Sequence, residues 1–134
     1  MNTKTVGEAF IKFLQSKGYG TFGVDLFLGE LPIEAPDKAW LVVVTGGNPE
    51  LVTLDGGMMK VYTFNVYRRA LAGKEIEHDL FSLEEKLNCA ECVDLDGFEL
   101  IYTRATQFSQ DIDLENENRR IGLVQAQMRL YKTS

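Results

Sequence analysis

The chain has 134 residues with three prolines, 45% hydrophobic and 25% charged residues, and a formal net charge of −6. That length is one domain, able to bury roughly two thirds of its unfolded surface. The acidic balance excludes a nucleic-acid binder that works by neutralising phosphates, which needs a clustered excess of Lys and Arg. No apolar run approaches the ~20 residues of a membrane-spanning helix. The first residues lack the charged-then-apolar pattern of a secretion signal, and two closely spaced cysteines fit synthesis in a reducing cytoplasm.

In chain order, Val6, Phe10, Phe13, Leu14 and Lys17 fall on one stripe and predict a helix over Thr5 to Lys17, with Gly18 as its C-terminal glycine. Phe22 to Leu28 and Ala39 to Thr45 read as strands, separated by a segment with two prolines. Met58 to Arg68 is rich in β-branched and aromatic residues and reads as the longest strand. Ala72 to Leu87 is amphipathic, with Ile76, Leu80, Leu83 and Leu87 on one side and acids on the others. Phe98 to Thr106 is a further strand. In Ile121 to Tyr131, Val124, Ala126, Met128 and Leu130 alternate with Gln125, Gln127, Arg129 and Tyr131, so one face is buried and one polar. An acidic loop, Gln107 to Asn118, separates these last two strands. The order predicts a single α+β domain over residues 1–134: a mostly antiparallel sheet with two helices packed on one face.

The motifs favour no catalysis. Cys89-Ala90-Glu91-Cys92 closes a helix, whereas a redox dithiol opens one, where the N-terminus stabilises thiolate. A zinc site would need two further ligands, and only His78 and nearby carboxylates are at hand. The plain reading is two small residues at a helix end. His78 is the single histidine and reads as a solvated side chain off the apolar stripe. Asp111-Ile112-Asp113-Leu114-Glu115 begins like a calcium loop, but Asn116 stands where that loop needs Gly and Gly122 where it needs Glu. Thr45-Gly46-Gly47 and Asp55-Gly56-Gly57 lack the Lys-Ser/Thr of a phosphate loop and read as turns. No cofactor or metal is expected.

Gly29-Glu30-Leu31-Pro32, then Pro36-Asp37-Lys38-Ala39, then an apolar strand ending Thr45-Gly46-Gly47, resembles the small tail terminator, or tail completion, proteins of tailed bacteriophages, also described as minor capsid proteins. Val66-Tyr67-Arg68-Arg69, Ile101 to Thr106, and the acidic loop leading to Arg119-Arg120 fit the same order. The likeness covers nearly the whole chain in element order, and its word-level signal is confined to Gly29 to Gly47. The C-x-x-C, and the absence of a proline after Thr106, depart from that pattern.

The resemblance implies a non-enzymatic virion protein made in the host cytoplasm. It would form a ring, usually six-fold, on the last ring of tail-tube protein, stop tube growth and face the head connector, with DNA only passing through. The residues offered for subunit or partner contacts are Arg68, Arg69, Arg104, Asp111, Asp113, Glu115, Arg119 and Arg120. Gln125, Gln127 and Arg129 are offered for the lumen or a subunit contact, and the loops Glu34 to Lys38, Gly46 to Gly57 and Gln107 to Asn118 for tube and connector. Two other readings are a connector component on the portal side, and a small cytoplasmic enzyme or ligand-binding domain. The last needs a convergent polar pocket, for which the sequence offers one histidine and no nucleophile–base pair.

Overall fold

The computed structural model describes residues 5–52, 58–71, 73–112 and 119–132. Helix α1 (Val6–Ser16) is followed by strands β1 (Leu26–Leu28), β2 (Ala39–Val52) and β3 (Met58–Ala70). Then come helix α2 (Gly73–Leu87), a 3-10 turn (Ala90–Cys92), β4 (Glu99–Ile112) and β5 (Arg120–Lys132). The sheet order is β1-β2-β3-β5-β4. All pairings are antiparallel except β1 with β2, which run parallel, so the sheet is mixed. The fold is α+β, with a mixed five-stranded sheet and two helices.

Helix α1 is closed at both ends by its own sequence. The Thr5 hydroxyl accepts the Glu8 N–H at 3.2 Å, filling one of the orphan donors of the first turn. At the other end Tyr19 N–H donates to Leu14 C=O and Gly18 N–H to Gln15 C=O, with Gly18 at φ 85°. This is a Schellman closure, and it requires the left-handed conformation that glycine adopts without strain.

Both helices lie on one face of the sheet. Phe10 of α1 stacks on Phe64 with ring centroids 4.4 Å apart. Phe64 and Arg68 share a face because strand side chains alternate, and Arg68 pairs with Gly122. A Cβ built on Gly122 would meet Leu80 Cδ1 and, at 2.8 Å, Ile76 Cγ2, so α2 seats on the same face. The fully buried residues between the layers include Val42, Phe64, Val66, Ile76, Leu80, Leu83, Leu87, Val124, Ala126 and Met128. These are the stripes expected of α2 and β5.

Three strand boundaries differ from the sequence reading. Gly23, Val24 and Asp25 form a turn instead of strand: the Thr21 carbonyl collects N–H groups from Val24, Asp25 and Leu26, leaving β1 only three residues. Thr45-Gly46-Gly47 does not end its strand. The chain passes through it with a register shift between Gly46 and Asn48 and continues to Val52, Gly46 taking φ 85°. A bulge needs the same permissive residue as a turn, so the local signal is shared. Strand β4 takes up residues assigned to the acidic loop, because Gln107, Phe108, Asp111 and Ile112 pair with Val124, Leu123, Ile121 and Arg120 of β5.

Candidate functional site

The face opposite the helices carries no helix among the described residues, and the Ala35–Asp37 segment covers it at Arg69. Cross-strand register sets its composition. Thr45, Thr63, Gln127 and Arg104 form one row across four strands, and Val43, Asn65, Gln125 and Thr106 form the next. Beyond the first row, Val61, Arg129 and Tyr102 lie together. Gln127, Arg104, Thr106 and Tyr102 are exposed, and Gln125 donates to Asn65 Oδ1 at 3.0 Å. The structure thus brings Gln125, Gln127, Arg129 and Arg104 onto one surface. Sequence reasoning missed Thr63, Asn65 and Tyr102 as its other members. Alternation along β3 is blurred, since Tyr62-Phe64-Val66 and Val61-Thr63-Asn65-Tyr67 both contain apolar side chains.

The arginines at the end of β3 are committed inside the chain. Arg68 and Arg69 are 8% and 7% exposed and point to opposite faces, as neighbours on a strand must. On the helix side, Arg68 Nε donates to Asp79 Oδ2 at 3.0 Å, Nη2 lies 3.6 Å from Glu75 Oε1, and the guanidinium lies over the Trp40 ring at 4.8 Å. Lys38 adds a second cation 2.9 Å from Glu75. On the other face Arg69 donates to the carbonyls of Ala35 and Pro36 at 3.2 and 2.7 Å, and Arg119 Nε lies 3.0 Å from Asp37 Oδ1. A buried guanidinium with carboxylate and carbonyl partners is a structural clamp. Arg68 and Arg69, offered for subunit or partner contacts, are thus buried and engaged within the chain. They fix the Pro36-Asp37-Lys38 segment to the sheet. Arg119 shares that task, and Arg120, half-buried, donates to the Arg119 carbonyl.

Of the acidic residues, Asp111 lies in β4 opposite Ile121, while Asp113 and Glu115 lie outside the described residues. Most of the calcium-loop pattern and the Asp55-Gly56-Gly57 turn fall outside them too.

Each edge strand has one residue whose outward backbone groups are both bonded from within. On β4 the Asn88 side chain pairs with the outward groups of Ala105, accepting its N–H at 2.7 Å and donating to its C=O at 3.0 Å. The Thr103 hydroxyl donates to the Leu87 carbonyl at 2.8 Å, filling an orphan acceptor at the end of α2. Beside it, β4 carries register shifts at Leu100/Tyr102 and Phe108/Asp111. On β1 the preceding turn bonds both outward groups of Leu26. Strand addition at these two positions is thereby hindered.

The remaining motifs resolve simply. Cys89 and Cys92, read from the sequence as two small residues at a helix end, lie in the 3-10 turn after α2 and are joined as a disulfide. His78 is exposed. No group of three His, Cys, Asp or Glu among the described residues could hold a metal ion. A cleft of about 280 Å³ between α1 and the turn at Asp94–Asp96 is lined by Lys12, Lys17, Asp94 and Asp96, and Lys12 bridges it to Asp96 at 3.1 Å. Its mixed charges favour no single class of ligand.

Charge is distributed unevenly. Between Lys74 and Glu99 lie nine carboxylates and two lysines, so that segment holds −7 and the remaining residues together hold +1. Five of those carboxylates and both lysines are in α2, which holds −3, and Glu91, Asp94, Asp96 and Glu99 follow it. Compared with known proteins, the chain matches no family model and no curated protein.

Proposed function

We propose that this chain is a structural assembly protein of a tailed phage, one that forms a ring at the head-proximal end of the tail tube, ends tube growth and meets the head connector. The observation that carries the reading is the pair of unlike surfaces on opposite sides of one small domain: an acidic helical layer and a polar sheet face with exposed Arg104. Closed rings of identical subunits need two different, complementary patches per subunit. The words from Gly29 to Gly47 support the same reading, and the clamp formed by Arg69 and Arg119 ties part of that stretch to the ends of β3 and β5.

The test is the tail-length distribution, by electron microscopy, of the parent phage carrying a nonsense mutation in this gene. Overlong headless tails beside filled heads are the expected outcome. Tails of normal length that fail to join heads would assign the protein to the connector instead. Wild-type particles would discard both assembly readings.

A further inference from the structure

We propose, independently of the assembly reading, that the Cys89–Cys92 disulfide is a reversible latch. Closed, it pins the strap that joins α2 to β4. Opened by small-molecule thiols, it releases the strap and exposes the edge of β4 at Ala105.

The strap, residues 88–98, is held at both ends. At its start Asn88 N–H donates to Glu84 C=O at 3.0 Å and Cys89 N–H to Lys86 C=O at 3.2 Å. Further on, Val93 and Leu95 are buried in the core, and Phe98 N–H donates to Leu95 C=O at 2.9 Å. Between these anchors lies the 3-10 turn, where Cys92 N–H donates to Cys89 C=O at 2.9 Å. So short a 3-10 turn is weak by itself, because its hydrogen-bond geometry is poor. The disulfide across it supplies the covalent constraint.

Two contacts of β4 depend on the start of the strap. The Asn88 side chain bonds both outward groups of Ala105, and the Thr103 hydroxyl donates to Leu87 C=O. A helix end frays where the chain beyond it is loose. With the disulfide open, the end of α2 frays more often and Asn88 leaves Ala105. The freed N–H and C=O then stand on the outer edge of a strand, where they can pair with another. The redox state thus sets whether this position of the edge is closed.

Both cysteines are half-buried and Glu91 between them is exposed, so the turn is within reach of small thiols. A thiolate attacks one sulfur, the Sγ–Sγ bond breaks, and a mixed disulfide forms. A second thiol attacks the outer sulfur of that mixed disulfide. Two cysteine thiols and one small-molecule disulfide result, the two thiols having supplied both electrons and both protons. A small-molecule disulfide reverses the same steps. Because the pair follows the C-terminal end of a helix, which disfavours thiolate, it is acted upon by exchange and is not itself an oxidoreductase site.

The experiment reads amide hydrogen exchange by NMR on the full chain, oxidised with glutathione disulfide or reduced with excess glutathione, the redox state being checked by intact mass. Ala105 N–H reports the latch. Arg104 N–H, which ladder alternation turns toward β5, reports the sheet. On reduction Ala105 should exchange at least about tenfold faster, since opening a covalently closed loop enlarges the locally open ensemble, while Arg104 holds its rate. Asn88→Ala should leave Ala105 fast in both redox states. Cys89→Ser combined with Cys92→Ser should match reduced wild type and ignore thiols. Equal protection of Ala105 in both states of the wild type would overturn the latch. Equal acceleration at Ala105 and Arg104 would overturn it in favour of a staple that supports the whole fold. A disulfide left intact by excess glutathione would overturn it too. None of these outcomes bears on tail length in the nonsense mutant, so the assembly reading stands or falls separately.

Discussion

Gly122 is the point where α2 rests on β5, and replacing it with alanine tests the whole packing scheme. Its backbone is not in the left-handed region, so the substitution is decided by space. The new Cβ would overlap Leu80 Cδ1 and stand 2.8 Å from Ile76 Cγ2, well inside the ~3.5–4.0 Å optimum for carbon pairs. Leu80 and Ile76 are both 0% exposed, so neither can swing away without disturbing the core. Overpacking of this kind costs about 1–3 kcal/mol. Alanine also returns roughly 0.5–1 kcal/mol by removing glycine's excess freedom in the unfolded chain. The net destabilisation is then up to about 2.5 kcal/mol. Unfolding entropy near 2.1 cal/mol/K per residue over 134 residues gives about 0.28 kcal/mol/K, so Tm should fall by up to roughly 9 °C. Differential scanning calorimetry reads this directly, and Gly122→Val should fall further. A Tm above wild type for Gly122→Ala would refute the seating of α2 on β5.

Arg68→Met should cost about 2 kcal/mol in urea unfolding, because it leaves Asp79 without its partner; the carboxylates are 27–32% exposed, which keeps the loss below that of a fully buried pair. An unchanged midpoint would mean that solvent already carries those charges. Asn88→Ala removes both hydrogen bonds to the outer edge of β4 and should cost about 1–2 kcal/mol. It should also raise concentration-dependent light scattering, since that edge becomes available for pairing. Gly46→Ala places a side chain at φ 85° with the Val61 carbonyl 3.3 Å from its Cβ, and should lower Tm by several degrees, equivalent to about 1–2 kcal/mol. Burial raises the Tyr62 hydroxyl above its ordinary value of 10.0. The unfolded chain therefore ionises there first, so stability is intact below the unfolded value and declines as pH rises through the folded one; tyrosinate absorbance during an alkaline titration checks this.

What the sequence determined by itself is whatever depends on neighbours within one element. The stripe Ile76-Leu80-Leu83-Leu87, the alternation from Val124 to Leu130, and the Thr5 and Gly18 ends of α1 are local patterns with local physics, and each stands in the structure as the periodicity implies. The α+β class and the single helical layer follow from those patterns together. Tertiary structure decided everything that depends on a distant partner. Gln107 to Ile112 are polar enough to read as loop, yet they are strand because β5 supplies the pairing. The parallel run of β1 beside β2 depends on a connection whose path no periodicity encodes. Arg68 and Arg69 look like exposed cations in a row of letters; only the placement of Asp79, Glu75 and the Ala35–Asp37 carbonyls shows them buried as clamps. The polar face of β5 was legible in the sequence, but its companions on β3 and β4 were not, because register is a property of strands brought together and not of any one of them.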